Sequence, residues 1–458
     1  MKDLARLLAE PVAVLGVGVT GRAVADFLEC RGSDFDLYDD KAGEYNGRVI
    51  STSSEPIRHY GLAIISPGWK RSHPRIQSFL QSDIRLISEI DFAWLVKSEA
   101  APEQKWVALT GTNGKTTTIQ MLQSIMDSAG VKGLACANVG IPAIAAASQI
   151  PALDYLALEL SSFQIEWSEL PHFEAVAILN IAEDHIDWHE TFDNYANAKM
   201  SLIASSDCAI LNAQDPEIAM RSTSFQGKKI FYSLDTPMPH ELGLVEDLLV
   251  DRAFVADSEE ATLIAELKDI HPQVPHNVSN ALAASGIALA MGIPHEFIKK
   301  GLSAFTLDHH RLEEVLERDG VKWINDSKAT NPHAAIAGIL ANSSVIWVAG
   351  GLAKGATMDA LVKRAAPRLK AAILIGTDKE LIAEALTLHA PEIPFYRVEG
   401  DGDPDSLMRA IIGRAKELAT KGDVVLLAPA CASMDQFDSY AHRGELFAQA
   451  VREMIGRE

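Results

Sequence analysis

Thr110-Gly-Thr-Asn-Gly-Lys115-Thr116 combines the residue types a chain needs to hold a nucleoside triphosphate. Its glycines let successive backbone N–H groups point at phosphate oxygens, Lys115 adds a point charge for the terminal phosphates, and the Thr116 hydroxyl is placed to reach a magnesium ion. The general phosphate-loop pattern places a further glycine at position 109, where this chain has leucine, but the Gly114-Lys115-Thr116 core is intact. Such a loop works only between a strand and a helix. The apolar run Trp106 to Leu109 and the helical recurrence of apolar residues over 117–126 predict both. Gly111, Thr112, Asn113, Gly114, Lys115, Thr116 and Thr117 are therefore the candidate triphosphate ligands.

A second glycine pattern, Gly16-Val-Gly18-Val-Thr-Gly21, follows the apolar run Val12 to Leu15. It opens a helix expected over 22–30, and a strand over 35–38 then ends in Asp39-Asp40. That spacing suits a pyrophosphate and a ribose hydroxyl, and it fits a dinucleotide cofactor such as NAD as well as a nucleotide substrate. Ser66-Pro67-Gly68 forms another turn after a buried strand, and residues 97–102 read as a linker. Strands expected over 154–162, 175–180 and 208–212 carry Glu159, Asn180 and Asn212 at their carboxyl ends. A parallel sheet would gather these on the side of the phosphate loop. The small-residue helix expected over 275–291 suggests close packing at a domain edge. Apolar runs at 321–324, 345–349, 371–375 and 424–428 repeat the alternation, and Gly350-Gly351 signals a close backbone approach. Three α/β units result, divided at 97/98 and 307/308, with residues 303–311 as the exit from the second.

Composition narrows the class. The 458 residues carry a formal charge of −21, which opposes binding to nucleic acid, and 48% hydrophobic content supports buried cores. No apolar run reaches the ~18 residues of a membrane span, and the N-terminal stretch lacks a signal-peptide core. Cys30, Cys136, Cys208 and Cys431 lie far apart without metal-type spacing, as reduced cytosolic thiols do. A cytoplasmic globular protein without nucleic-acid or membrane partners is expected. The acidic stretch 241–266 reads as a solvated surface or a sheet edge.

Further motifs join the phosphate loop: Glu159-Leu-Ser-Ser-Phe-Gln164, Leu179-Asn-Ile-Ala-Glu-Asp-His185-Ile-Asp187, Tyr195-Ala-Asn-Ala-Lys199, His276-Asn277, His310-Arg311, Asn325-Asp-Ser-Lys-Ala-Thr-Asn331 and Pro429-Ala-Cys-Ala-Ser-Met-Asp-Gln-Phe437. With them the chain resembles the Mur ligase family over its full length. The Ser-Ser-Phe-Gln, Asn-Asp-Ser-Lys-Ala-Thr-Asn and Ala-Cys-Ala-Ser segments favour a glutamate-adding member. The resemblance implies an N-terminal Rossmann-like domain over 1–97 for a uridine nucleotide. It further implies a central, mostly parallel P-loop ATPase-like domain over 98–307 and a C-terminal Rossmann-like domain over 308–458 for the amino acid. The implied reaction is ATP-dependent ligation of D-glutamate to UDP-N-acetylmuramoyl-L-alanine through an acyl phosphate, a step of peptidoglycan precursor synthesis carried out by a monomer.

The same resemblance assigns residues. Gly18, Val19 and Thr20 would face the pyrophosphate, with Asp39, Asp40 and Lys41 by the uracil and ribose and Ser66 and Gly68 in the same cleft. Asn138 would lie in the phosphate region. Thr116 and Glu159 would hold one magnesium ion and His185 a second. Lys199 would be carbamylated, turning a cation into an anion that orients metal. The catalytic set is then Lys115, Glu159, His185 and Lys199. Asn277, Arg311 and Asp326 would meet the ATP. Lys328, Thr330, Lys354, Ser433 and Tyr440 would meet the glutamate, Tyr440 standing where the family has phenylalanine. Rival readings are another Mur-type or folylpolyglutamate-type amide ligase, an NAD-dependent oxidoreductase, and a nucleotide-binding module without catalysis.

Overall fold

The computed structural model describes residues 4–307, 310–400 and 402–456, so Asp308-His309, which mark the expected second boundary, lie outside the described residues. The chain forms three mostly parallel sheets flanked by helices, the mixed α/β class expected.

The first sheet runs Gly43–Tyr45, Arg48–Ser51, Phe35–Tyr38, Val12–Leu15, Leu62–Ile65 and Arg85–Ser88 from edge to edge. Val12–Leu15 is buried throughout and pairs in parallel on both sides, which is why it reads as an unbroken apolar run. The next helix, Val19–Cys30, starts three residues before the expected position because Gly18 itself takes the N-cap conformation. Gly21 admits no side chain, since a Cβ there would stand 1.7 Å from the Gly16 carbonyl oxygen.

Residues 97–100 are not a linker. The helix Glu89–Ala100 carries through them, launched by a reciprocal capping box between Ser88 and Asp91. No breaker intervenes before Pro102, and the Lys97 ammonium folds over the helix end to donate to the Pro102 carbonyl at 2.9 Å. At the start of this helix Glu89 is buried and accepts the Ile144 N–H at 2.7 Å, and burial pushes its carboxyl up to about 7.

The central sheet is ordered Thr262–Glu266, Leu248–Asp251, Glu241–Val245, Lys228–Tyr232, Cys208–Asn212, Ala175–Ile178, Lys105–Thr110, Tyr155–Glu159 and Gly133–Ala137. Its first three strands are an antiparallel meander, so the acidic stretch lies at a sheet edge as expected. The helix Pro275–Ala290 uses its small residues against the inner strands rather than at a domain edge: a Cβ on Gly286 would come within 2.7 Å of Ile210.

The third sheet runs Glu313–Arg318, Val321–Asn325, Val424–Leu427, Val345–Gly350, Leu369–Ile375 and Phe395–Arg397. Apolar clusters centred on Trp347 and Phe447 cover its two faces. Gly350 and Gly351 sit at φ +121° and +132°, and a Cβ on them would stand 1.9 Å and 2.0 Å from the Ile375 and Ala432 carbonyl oxygens. Here the expected close backbone approach is met. The first two sheets belong to one compact unit, which runs to Ile181 and resumes over Asp193–Phe305; Ala182–Phe192 and the chain from Thr306 make up the other. Cys136, Cys208 and Cys431 are buried free thiols and Cys30 is an exposed one.

The helix His295–Ala304 approaches the helix of the phosphate loop at Gly301, where a Cβ would meet the Ile125 Cα at 2.5 Å and the Gly301 carbonyl accepts the Ser124 hydroxyl at 2.8 Å. Gly301→Ala is expected to destabilise the protein by about 1–3 kcal/mol, because backbone and not a flexible side chain must move. Denaturant unfolding monitored by circular dichroism measures the loss; an unchanged midpoint would show that the two helices part without cost.

Candidate active site

The strand Lys105–Thr110 is paired in parallel by Tyr155–Glu159 on one side and Ala175–Ile178 on the other. Thr110, Glu159 and Asn180 consequently reach the same edge of the sheet. The loop turns at Gly111, where a Cβ would come within 2.9 Å of the Leu179 Cβ, and enters the helix Lys115–Ser128 through Gly114 at φ +82°. A side chain on Gly114 would meet Asn280 Oδ1 at 2.4 Å. Asn180 fixes the middle of the loop with both ends of its amide, accepting the Asn113 N–H at 2.8 Å and donating to the Asn113 carbonyl at 3.0 Å. Its own carbonyl accepts the Thr112 N–H at 2.9 Å.

Two lysines meet at this loop. Lys115 Nζ donates to the Gly111 and Thr112 carbonyls at 2.8 and 3.0 Å. Lys199, in the helix Phe192–Ser201, is only 1% exposed and donates to the Gly111 carbonyl at 2.9 Å and the Thr110 hydroxyl at 3.3 Å. Its ammonium lies 4.7 Å from the centre of the Tyr195 ring, whose hydroxyl is 2.8 Å from the Thr112 hydroxyl. Lys199 is thus part of the loop's wall and not a solvated side chain.

Glu159 is buried beside the loop. Its Oε1 accepts from Asn138 Nδ2 at 2.9 Å, while Oε2, also buried, has no hydrogen-bond partner among the described residues. An anionic oxygen left open in a buried place suits a hard cation such as magnesium, which takes oxygen ligands and fills most positions with phosphate and water. Among the described residues no group of three His, Cys, Asp or Glu side chains is placed to hold a metal. Thr116 stands partly buried in the first turn of the loop's helix. His185 belongs to the other unit; it takes φ +54° at the start of the short helix Ile186–His189, and its N–H donates to Asp184 Oδ1 at 2.9 Å.

Asn277 is buried and donates to the His271 and Pro272 carbonyls at 3.0 and 3.1 Å, anchoring the segment that leads into its helix. Asn280, three positions on, is the residue that faces the phosphate loop at Gly114, and sequence reading missed it. The signal was present in the spacing, since residues three apart share a helix face.

In the first sheet, Gly18, Val19, Thr20, Asp39, Asp40, Ser66 and Gly68 line one cleft of about 450 Å³ together with Gly16, Pro67 and Trp69. Asn138 is not in it but on the central sheet beside Glu159, and Lys41, exposed, is not among its lining residues. Asp39 braces the glycine turn, accepting the Val17 N–H at 2.7 Å and the Asp40 N–H at 2.8 Å. Beneath lies Arg75, 1% exposed, which donates to Asp40 Oδ1 at 2.9 Å and to the Asp39, Thr52 and Ser53 carbonyls. Nothing in the sequence marked Arg75, because a single arginine in an amphipathic stretch reads as solvated.

In the second unit, Asp326 follows the strand Val321–Asn325 and is buried. Burial pushes its carboxyl up to about 7, opposed by the Leu312 N–H at 3.3 Å and the charge of Arg311. The Lys328 ammonium lies 5.3 Å from the centre of the Tyr440 ring, and Thr330 is partly buried two residues on. Ser433 is buried near the Gly350-Gly351 crossing, while Lys354 stands exposed at φ +51° in the loop that leaves it. Arg443, fully buried and unmarked by any motif, joins these loops. It donates to the Ser327 hydroxyl and carbonyl at 3.0 and 2.9 Å and to the Cys431 carbonyl at 3.3 Å, and the Ser327 hydroxyl in turn donates to the Tyr440 carbonyl at 2.7 Å.

A phosphate loop next to an open buried carboxylate, with a glycine-turn cleft on a second parallel sheet of the same unit, defines an α/β enzyme that handles nucleotides. The chain belongs to the Mur ligase family. The Mur ligase middle domain matches residues 109–288, and the Mur ligase, glutamate ligase domain matches residues 310–431. A UDP-N-acetylmuramoylalanine–D-glutamate ligase from Streptomyces coelicolor is 41% identical, covering 97% of this chain and 98% of its own. Among solved structures, a pseudomurein peptide ligase type C from Methanothermus fervidus superimposes with a TM-score of 0.61 at 17% identity, covering 98% of this chain and 99% of that one. A MurF ligase from Thermotoga maritima in complex with ADP gives 0.58 at 16% identity, covering 97% and 95%. Among the described residues no helix is long and apolar enough to cross a membrane.

Asp326 yields a pH prediction. Its folded carboxyl, at about 7, is above the ordinary 3.8, so the folded state holds a proton that the unfolded state has lost over that window. Stability attributable to this group therefore falls as pH rises from about 4 to about 7. Asp326→Asn is expected to leave stability at pH 4 nearly unchanged and to raise it at pH 8, by up to about 4 kcal/mol. Urea unfolding at the two pH values checks this, and an equal effect at both would contradict it.

Proposed function

We propose that the chain joins D-glutamate to UDP-N-acetylmuramoyl-L-alanine at the expense of ATP, releasing ADP and phosphate. The observation that carries the chemistry is the open Glu159 oxygen beside the phosphate loop; the full-length likeness to the Streptomyces coelicolor ligase supports the choice of substrates.

A carboxylate and an amine in neutral water form a salt, so the acid must first be activated. Transfer of the γ-phosphoryl group to the acceptor's carboxylate gives an acyl phosphate, which the amine attacks with loss of phosphate. Anionic groups must approach one another for this to happen. Lys115, which rests on the loop carbonyls, would turn to the terminal phosphates and counter their charge. The loop N–H groups of residues 111–117 would cradle the phosphates. Glu159 and Thr116 would hold magnesium, which when bound neutralises phosphate oxygens as charge redistributes. We assign a second ion to His185 and carbamylation to Lys199, whose terminal nitrogen is buried against the Gly111 carbonyl of the phosphate loop. Asn138, bonded to Glu159, would meet the UDP-linked substrate in the phosphate region.

The first-sheet cleft takes the uridine nucleotide in this reading, with Gly18, Val19 and Thr20 at the diphosphate and Asp39, Asp40, Lys41, Ser66 and Gly68 around the nucleoside. Asn277, Arg311 and Asp326 go to ATP. Lys328, Thr330, Lys354, Ser433 and Tyr440 go to the glutamate, where cations and hydroxyl donors suit two carboxylates. Domains at 1–97, 98–307 and 308–458, a monomeric state and a cytoplasmic location complete the proposal.

ADP release in the presence of magnesium should require both UDP-N-acetylmuramoyl-L-alanine and D-glutamate, and L-glutamate should not substitute. Release with other amino acids alone would point to a different amide ligase. Lys115→Ala should reduce turnover at least a hundredfold while uridine-nucleotide binding, followed by calorimetry, persists. Carbon-13 bicarbonate should give a carbamate resonance that Lys199→Ala removes; its absence from active wild-type protein would refute the modification.

A further inference from the structure

Trp69, just past the Ser66-Pro67-Gly68 turn, lines the first-sheet cleft. Its indole nitrogen lies where a Cβ on Gly16 would come within 2.7 Å, so the ring edge faces the glycine turn. The indole N–H has no hydrogen-bond partner among the described residues. The rest of the residue is firmly held. The Arg75 guanidinium lies 5.0 Å from the ring centre, the His73 imidazole meets the ring edge-on at 4.6 Å, and the Trp69 carbonyl accepts the Trp167 indole N–H at 3.0 Å.

The donors around the cleft suit an anion at this N–H, with Arg75 offsetting the charge of Asp40. Asp39 spends its carboxylate on the Val17 and Asp40 N–H groups, and Asp40 is paired with Arg75. The glycine turn therefore offers backbone donors next to carboxylates that are already engaged, and the indole adds one more donor from the opposite lip. A donor to a charged oxygen is about twice as strong as one between neutral groups. Arg75 touches both lips: it holds the Trp69 ring on one side and Asp40 Oδ1 on the other, at 2.9 Å.

We propose that Trp69 is a binding residue for the diphosphate of the nucleotide in this cleft, donating its Nε1–H to a phosphate oxygen, and that Arg75 is the positioning residue that sets both Trp69 and Asp40. The proposal rests on the assignment of the cleft to the uridine nucleotide.

Titration of the full chain with UDP, followed by tryptophan emission and by calorimetry, tests both layers. Wild-type protein should bind UDP with a change in emission that Trp69→Phe abolishes, and the variant's Kd for UDP should rise roughly five- to tenfold with an unchanged melting temperature. Arg75→Lys, which keeps the charge and loses the fork, should raise the Kd for UDP while leaving the KM for ATP unaltered, a split that a general loss of structure would not produce. Wild-type binding together with an unchanged Kd in Trp69→Phe would overturn the role of Trp69 and leave the cleft assignment standing. Failure of folded wild-type protein to bind UDP would overturn the cleft assignment and the proposal together.

Discussion

A loop that turns its N–H groups toward an anion must still find partners for its carbonyls, and the central sheet is organised around that requirement. The Gly111 carbonyl receives Lys115 and Lys199, the Asn113 carbonyl receives Asn180, and the Gly114 carbonyl receives the Thr118 hydroxyl and N–H. Asn180 stands 67 positions from Asn113 and Lys199 88 positions from Gly111. The seven-residue motif thus has the right composition for a phosphate loop but acquires its shape from a strand end and a helix that come much later in the chain. Unpaired carbonyls at this depth would each cost about 1–3 kcal/mol, enough to collapse the loop onto itself.

Buried charge elsewhere serves the same end. Arg75 and Arg443 spend most of their hydrogen bonds on backbone carbonyls of loops and few on carboxylates. A buried ion pair gains little net stability once desolvation is counted, whereas a guanidinium that gathers several carbonyls fixes loops that have no secondary structure of their own. In an acidic protein these two cations are placed under the two loop clusters to which anionic ligands are assigned.

How much of this was legible in the sequence follows from the range of the forces involved. Val12–Leu15, Lys105–Thr110, Cys208–Asn212 and Val345–Gly350 were readable because a strand buried on both faces must be apolar throughout, a local property. The same logic exposed the glycine turns and Gly350-Gly351. The helix through residues 97–100 was misread because Ser, Glu and Ala there lack the apolar signal, while the features that sustain it, the cap at Ser88 and the reach of Lys97, lie elsewhere. The short edge strands Gly43–Tyr45 and Phe395–Arg397 carried too few residues to show a period. Among site residues, Glu159 and Asn180 were found through their place at strand ends. Arg75, Trp69, Asn280 and Arg443 were not, because their roles depend on partners brought in by tertiary folding and a lone side chain carries no mark of that.

The four thiols divide sharply by environment. Burial raises Cys136 and Cys208 and pushes Cys431 up to about 12, so at neutral pH these three buried thiols hold almost no thiolate. Cys30 alone is exposed, on the last turn of the helix whose first turn borders the glycine-turn cleft. The native chain therefore comes with a single addressable position: a maleimide dye or spin label would attach at Cys30 without prior mutagenesis. It would sit one helix length from the glycine-turn cleft, close enough to report on that sheet and far enough not to obstruct it.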